Sequence, residues 1–323
     1  MDYRHRKVIQ KYIHLLQQSI DLLDIKDDLS KSKIFTTHML RDIYDGEASF
    51  FEELPTRGPD AFFRFINLLK DRKNYASIAE DLCHLANPAY QLSDKYGYFY
   101  VLLNYDFEGI QTAVESKVLQ DGFKLEFRAL DLALSTVGYK SHKYKENLLA
   151  DSFYSKLKKF SKMNFSDVSS CIVIILGFGV KNKDSKVIYG SDGKYIMLHD
   201  ILNLFSDKNC PSLKYKPKIF LLPSFDMSQN DSVENAELLY NVNDTFLWYF
   251  PPLKNYKYVK EKFFGEVLSE NLETNYLQSD FETIFKSSYS MFIDQLQKIS
   301  LEDLNSTPEY ERLGKCREKI LFT

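Results

Sequence analysis

Two short apolar runs constrain this chain more than anything else in it. Residues 171–178 read CIVIILGF and residues 216–227 read KPKIFLLPSFDM. Their cores are apolar at consecutive positions, too short for a helix, and end abruptly at a Gly or a Pro-Ser. A strand with no polar face has to be covered on both sides, as central strands of helix-flanked parallel sheets are. In such sheets the site forms from residues just past the carboxyl ends of the strands. The stretches Leu176-Gly177-Phe178-Gly179 and Pro223-Ser224-Phe225-Asp226-Met227 are therefore where chemistry is expected.

The rest of the region after residue 97 supports the same architecture. Residues 98–105 (YFYVLLNY) make another continuous apolar strand, and helices are expected over 125–137 and 147–163. A hairpin around Tyr189-Gly190-Ser191-Asp192-Gly193 and a short helix at 199–205 precede the 216–227 run. A strand at 245–250, helices at 263–275 and 279–299, and a terminal strand at 319–323 complete the order. Strands alternating with helices give an α/β fold with a mostly parallel sheet covered on both faces. The first ninety residues differ, with helical spacing throughout. Six helices are expected: one on the stripe Val8, Ile9, Tyr12, Ile13, Leu16 and Ile20, then 22–30, 37–44, 47–54, one from Ala61, and 75–85. Residues 85–94 are expected to act as a linker.

Composition narrows the class. A net charge of −3 with 44% hydrophobic residues describes a soluble globular chain, and no basic block marks a nucleic-acid face. No apolar run approaches the ~18–20 residues of a membrane span, and the start lacks a signal-peptide pattern. Cys83, Cys171, Cys210 and Cys316 lie far apart with no CxxC pair. That argues against a disulfide framework or a zinc site and for a reducing, cytoplasmic home. No cofactor is expected.

Particular wording goes further. Ile34-Phe35-Thr36, Met39-Leu40 and Thr56-Arg57-Gly58-Pro59-Asp60-Ala61-Phe62 resemble a caspase recruitment domain (CARD), a six-helix death-fold bundle. The rest resembles a caspase from end to end: Asn104 with Phe107, Val137-Gly138-Tyr139, the 189–193 turn, 209–213, 216–220 and a final Leu321-Phe322. The resemblance divides the chain into a recruitment-like domain at 1–88, a linker at 89–97 and a caspase-like domain at 98–323. The last comprises a large-subunit-like part (98–227), a linker (228–244) and a small-subunit-like part (245–323). It implies homotypic docking by the first domain. There Arg4, Arg6, Lys7 and Lys11 form one charged cluster and Asp21, Asp24, Asp27 and Asp28 another.

Caspase chemistry needs a thiolate nucleophile and an imidazole, with the His about 50 residues before the Cys. By this resemblance Phe178 stands at the His position and Phe225 at the Cys position, 47 residues apart. A phenyl ring supplies neither a lone pair nor a proton. Ser224, Cys171, His142 and His199 are poorly placed substitutes. Gly179 survives at an oxyanion-hole position. The arginines that grip a substrate aspartate are replaced by Gln120 and Lys260. The two phenyl rings are expected to pack where substrate would bind. The short 228–244 linker offers no convincing cleavage site, so a single uncut chain is expected.

The resemblance thus implies a catalytically inactive caspase homologue that regulates apoptosis, inhibiting an initiator caspase or its CARD-containing apoptosome platform as a decoy. The alternatives are an activating scaffold that heterodimerises with an active caspase, and an active Asp-specific peptidase whose catalytic residues lie elsewhere. A homodimer or heterodimer is expected to form through the terminal strand 319–323, with no nucleic acid or membrane partner.

Overall fold

The computed structural model describes residues 1–92, 96–107, 116–142, 144–182, 185–227, 242–298 and 308–322, with the side chains of 182, 226 and 227 outside the description. The chain divides into two compact units, Met1–Pro88 and Ala89–Thr323.

The first unit is all helical: α1 (Tyr3–Lys11), α2 (Ile13–Ser19), α3 (Lys26–Ser32), α4 (Thr37–Tyr44), α5 (Phe50–Glu53) with a 3-10 turn at Leu54–Thr56, α6 (Ala61–Lys70) and α7 (Ala76–Ala86). Ile9, Leu16, Leu29, Leu54, Phe65 and Leu69 form the centre of its own core. The first helix expected from the apolar stripe is in fact two. Tyr12 leaves helical geometry (φ −110°, ψ 16°) and its amide closes α1 onto the Val8 carbonyl. One non-helical residue leaves the stripe facing the same way, so periodicity does not register the break. The second expected helix starts late, at Lys26, because the Asp21 carboxylate accepts the Leu23 amide in a turn.

The second unit runs β1 (Ala89–Leu92), β2 (Gly97–Leu103), α8 (Ser116–Thr136), β3 (Tyr139–Ser141), β4 (Lys145–Glu146), α9 (Ala150–Ser161), β5 (Ser170–Leu176), β6 (Gly179–Asn182), β7 (Ser185–Tyr189), β8 (Tyr195–Met197) and α10 (Leu198–Asn203). It continues with β9 (Lys218–Leu222), β10 (Phe225–Met227), β11 (Thr245–Tyr249), α11 (Phe264–Asn275), α12 (Phe281–Gln297), β12 (Tyr310–Leu313) and β13 (Lys319–Phe322). The main sheet has the order β12-β11-β9-β5-β2-β3, with β4 also beside β2. Every pair in it is parallel except β11 with β12.

Alternation along each strand serves two cores. Ile172, Ile174 and Leu176 of β5 face α8, α11 and α12, while Cys171, Val173 and Ile175 face α9 and α10. Both faces are apolar, which is why the sequence shows runs with no period of two.

Two expectations are corrected. The 216–227 run is two strands in two sheets, because Pro223 has no N–H to continue the ladder. The chain leaves β9 there and enters a small sheet of order β10-β6-β7-β8. The stretch expected to be a linker at 89–97 contains β1, paired in parallel with β13. β1 thus takes one edge of the terminal strand, and among the described residues β12 is one outer edge of the main sheet. The expected linker at 228–244 lies largely outside the described residues. Among the described residues no helix is long and apolar enough to cross a membrane.

A buried tyrosine helps fasten the β1·β13 pair to the main sheet. The Tyr90 hydroxyl donates to the Asp244 carboxylate and accepts the Arg317 amide at 3.0 Å. Asp244, in a left-handed conformation (φ 51°), also accepts the Lys218 amide on its carbonyl at 2.8 Å and donates its own amide to Lys315 at 3.0 Å. Tyr90→Phe keeps the shape but takes a donor from a buried carboxylate, at an expected cost of about 2 kcal/mol. Urea denaturation of parent and variant measures it; equal midpoints would show that Asp244 does not depend on Tyr90.

Candidate functional site

Parallel pairing of β5 with β9 (Ile172 opposite Ile219, Ile174 opposite Leu221) brings their carboxyl ends side by side. Just past those ends stand Phe178 and Phe225. Asn104, directly after β2 and 1% exposed, fixes the surrounding loops. Its amide donates to the Leu176 carbonyl at 2.8 Å. Its side chain donates to the carbonyls of Leu148 (3.1 Å) and Tyr189 (3.3 Å) and accepts the Leu148 amide at 3.0 Å. The Phe178 carbonyl in turn accepts the Tyr189 amide at 3.0 Å.

Both rings are engaged, with different neighbours. Phe178 packs against Phe107 (centroids 5.9 Å apart) and Tyr189 (5.5 Å), and against the core on the α8 side of the sheet. Phe225 lies opposite Gly179 in the β10·β6 pair, and its ring sits so close that a Cβ on Gly179 would meet it at 2.8 Å. Phe225 meets Tyr249 nearly edge-on at 5.7 Å and packs against the core on the α9 side. The rings, each partly exposed, therefore flank the strand ends from opposite faces of the sheet. Gly179 is required by that contact.

A small void lies beside these strand ends, lined by neither ring. A cavity of about 10 Å³ is lined by Leu176, Gly177, Pro223, Ser224, Phe250 and Tyr256, among others. That is room for one water at most, against the ~300–1,000 Å³ of a ligand site. The lining holds no histidine, cysteine or carboxylate.

Of the substitutes the sequence offers, Ser224 lines this cavity, while Cys171, His142 and His199 lie elsewhere. Cys171 is at the amino end of β5, fully buried, and burial pushes its thiol up. The His142 ring packs on Tyr100 and Phe160, and His199 pairs with Asp200 at 3.1 Å. Gln120, on α8, donates to the Tyr105 hydroxyl at 3.3 Å, and Tyr105 donates to Glu146 at 2.7 Å. Lys260 is exposed beyond the 3-10 turn Leu253–Tyr258. Among the described residues no group of three or more His, Cys, Asp or Glu is placed to hold a metal.

Two residues the sequence did not mark are prominent here. The Lys186 ammonium lies 5.6 Å from the Phe225 ring centroid and 4.6 Å from that of Tyr249, donates to the Tyr249 hydroxyl at 2.9 Å and pairs with Glu311 of β12. It ties the strand end at Phe225 to β12. Glu126 of α8 is fully buried, accepting from both the Tyr256 hydroxyl (2.9 Å) and the Gly265 amide (3.1 Å). Burial pushes its carboxyl up to about 8, against the opposing pull of those two donors. It occupies the apolar stripe of α8 between Phe123 and Leu130, which was a readable signal.

In the first unit, Arg4, Arg6, Lys7 and Lys11 all lie on α1 and are exposed. The acidic cluster is partly consumed internally: Asp24 accepts the Tyr75 hydroxyl at 2.8 Å and Asp28 pairs with Arg72. Asp27 and Asp28 also stand in the first turn of α3, where the helix dipole favours them.

Comparison with known proteins places these features. The caspase domain family matches residues 119–311. Caspase-2 of Gallus gallus is 23% identical over 300 residues, covering 72% of this chain and 69% of that protein. Caspase-9 of Homo sapiens is 26% identical over 159 residues, covering 47% of this chain and 36% of that protein. The solved structure of pro-sf-caspase-1 superposes with a TM-score of 0.56 at 16% identity, over 73% of this chain and 98% of that one.

The buried carboxyl predicts a pH dependence. Glu126 ionises at about 8 in the folded chain, above the unfolded value of ~4.3. Its contribution is complete below the unfolded value and is lost as pH rises through the folded one. Urea midpoints are expected to fall between pH 5 and 8 by the equivalent of about 3 kcal/mol, and to flatten in Glu126→Gln. Identical profiles for parent and variant would rule out this group as their source.

Proposed function

The chain belongs to the caspase domain family, and we propose that it is a member without peptidase activity. It regulates apoptosis by occupying docking positions of an initiator caspase or of that caspase's recruitment platform. One observation carries the loss of activity. At the strand ends where the family keeps a histidine and a cysteine, this chain has Phe178 and Phe225, and the Phe225 ring is seated on Gly179. A phenyl ring can neither attack a carbonyl nor move a proton.

Docking then becomes the remaining function. The helical first unit carries a basic face on α1, and its wording is that of a recruitment domain. In the second unit β12 presents an outer edge to which a partner strand can add. A specific contact favours the activating scaffold as a second reading. Glu311 of β12 is held by Lys186 and by the Tyr249 hydroxyl, so the edge is ordered before any partner arrives.

Purified chain is expected to leave Asp-containing peptides uncut, and cleavage would overturn both readings. Co-expressed in equal amount with an initiator caspase, the chain is expected to lower that enzyme's cleavage rate about twofold by mass action. A raised rate would replace the decoy with the scaffold.

A further inference from the structure

The edge of the main sheet formed by β3 and β4, both beside β2, borders a surface rich in lysine. The parallel register sets Lys140 opposite Tyr98 and Lys145 opposite Leu102, and both partners pack on the α9 side of the sheet. The next residues along the strands turn the other way. Tyr139 enters the core on the α8 side, and Glu146 pairs with Lys124 of α8 at 3.7 Å. Strand alternation therefore sends both edge lysines toward α9.

α9 meets them with charge of the same sign. The His142 ring, between those lysines in sequence, packs on Phe160 of α9 with centroids 5.5 Å apart. Lys156 stands one turn before Phe160, on the same side of the helix, with Lys159 beside it. Lys158 and Lys162 continue the basic surface around the exposed face. All of these lysines are exposed, and none forms an ion pair among the described residues. α9 carries a single acid, Asp151, in its first turn. Of the neighbouring carboxylates, Asp192 accepts the Ala150 amide at 3.1 Å and Asp200 pairs with His199 at 3.1 Å. The helix dipole accounts for Lys158 and Lys159 in the last turn, but not for Lys140, Lys145 or Lys156.

Two large apolar side chains stand out from the rim of this surface. Tyr144 is 43% exposed, its ring lying on Phe127 at 4.3 Å. Leu149, 54% exposed, opens α9 two turns before Lys156 and on the same side. We infer that this edge binds the surface of an anionic phospholipid bilayer. Lys140, Lys145, Lys156 and Lys159 lie over the head groups, and Leu149 and Tyr144 enter the interface. Lysine is a flexible point charge that suits a diffuse anionic layer, whereas fixed phosphates favour the arginine fork. No arginine occurs between Arg128 and Arg312. An exposed leucine beside the cations gains burial in a bilayer and gains none on a phosphate backbone. The chain rests on the surface without spanning it, since among the described residues no helix is long and apolar enough to cross. This departs from the expectation of no membrane partner, because the lysines are scattered along residues 140–162 and only the sheet register and the Phe160 contact gather them. It depends on neither the loss of peptidase activity nor the docking role.

Co-sedimentation of the full chain with vesicles of phosphatidylcholine, with and without phosphatidylserine, tests the inference at low and at physiological salt. Binding is expected to the anionic vesicles only, and to weaken as salt rises. Lys140→Gln combined with Lys156→Gln is expected to weaken it about 25-fold, at about fivefold per lysine. Leu149→Ser leaves the charge unchanged and offers the side-chain cap that α9 lacks, and is expected to weaken binding about fivefold. Lys70→Gln combined with Lys254→Gln removes two exposed charges elsewhere and is expected to change binding by about twofold or less. Equal binding to both vesicle types, binding to neither, or equal losses in the two lysine pairs would overturn the inference. Duplex DNA bound more tightly than vesicles, with Leu149→Ser neutral, would assign the surface to nucleic acid instead.

Discussion

The parallel pairing of β5 with β9 is the constraint from which the rest of the second unit follows. A parallel sheet with both faces apolar has to be covered twice, by α8, α11 and α12 on one side and α9 and α10 on the other. Every connection must then cross over a face, and every strand of the parallel set finishes at the same end. Residues 47 apart in sequence, Phe178 and Phe225, become neighbours of one opening for this reason alone. The position of the candidate site is thus dictated before the identity of its side chains.

What those side chains do is a matter of packing. A site that hydrolyses peptides must keep a thiol and an imidazole in reach of solvent and substrate, with space that the fold cannot fill. Two phenyl rings reverse that balance. Both rings are partly buried, so each gains a fraction of the roughly 1.5–3 kcal/mol of full burial, and each aromatic contact adds about 0.5–1.5 kcal/mol. Phe178 gains Phe107 and Tyr189, and Phe225 gains Tyr249 and the Gly179 backbone. On the proposed reading, release from catalysis let the strand ends close, as expected when function no longer holds a cavity open.

Much of this was legible in the sequence, and the exceptions share physical causes. The central strands were readable because full burial leaves an unbroken apolar run. The division of 216–227 was also readable in principle, since Pro223 cannot continue a ladder, yet the flanking run concealed it. β1 looked like a linker because its partner, β13, lies more than two hundred residues later, and four residues carry no period of their own. β12 reads YERL, with Tyr310 and Arg312 exposed, so charge hid a strand at the place where a sheet edge needs charge. Glu126 was visible as a carboxylate inside an apolar stripe. Nothing local marks Lys186, whose importance comes only from the Tyr249 and Glu311 side chains that meet it.

Lys186 also explains why the strand end at Phe225 and β12 belong to one mechanical unit. Its ammonium is held by Glu311 and the Tyr249 hydroxyl, with the faces of Tyr249 and Phe225 beneath it. Replacing Phe225 alone with a small polar residue removes one wall of this cation's surroundings and opens the space above Gly179. It does not create a base, because Phe178 faces the other core, and it does not create an aspartate grip, because Gln120 is turned to Tyr105. The changes at 120, 178 and 225 are thus structurally separable but chemically interdependent. On the proposed reading, the groups missing at these positions would have to return together before a peptide bond could be cut.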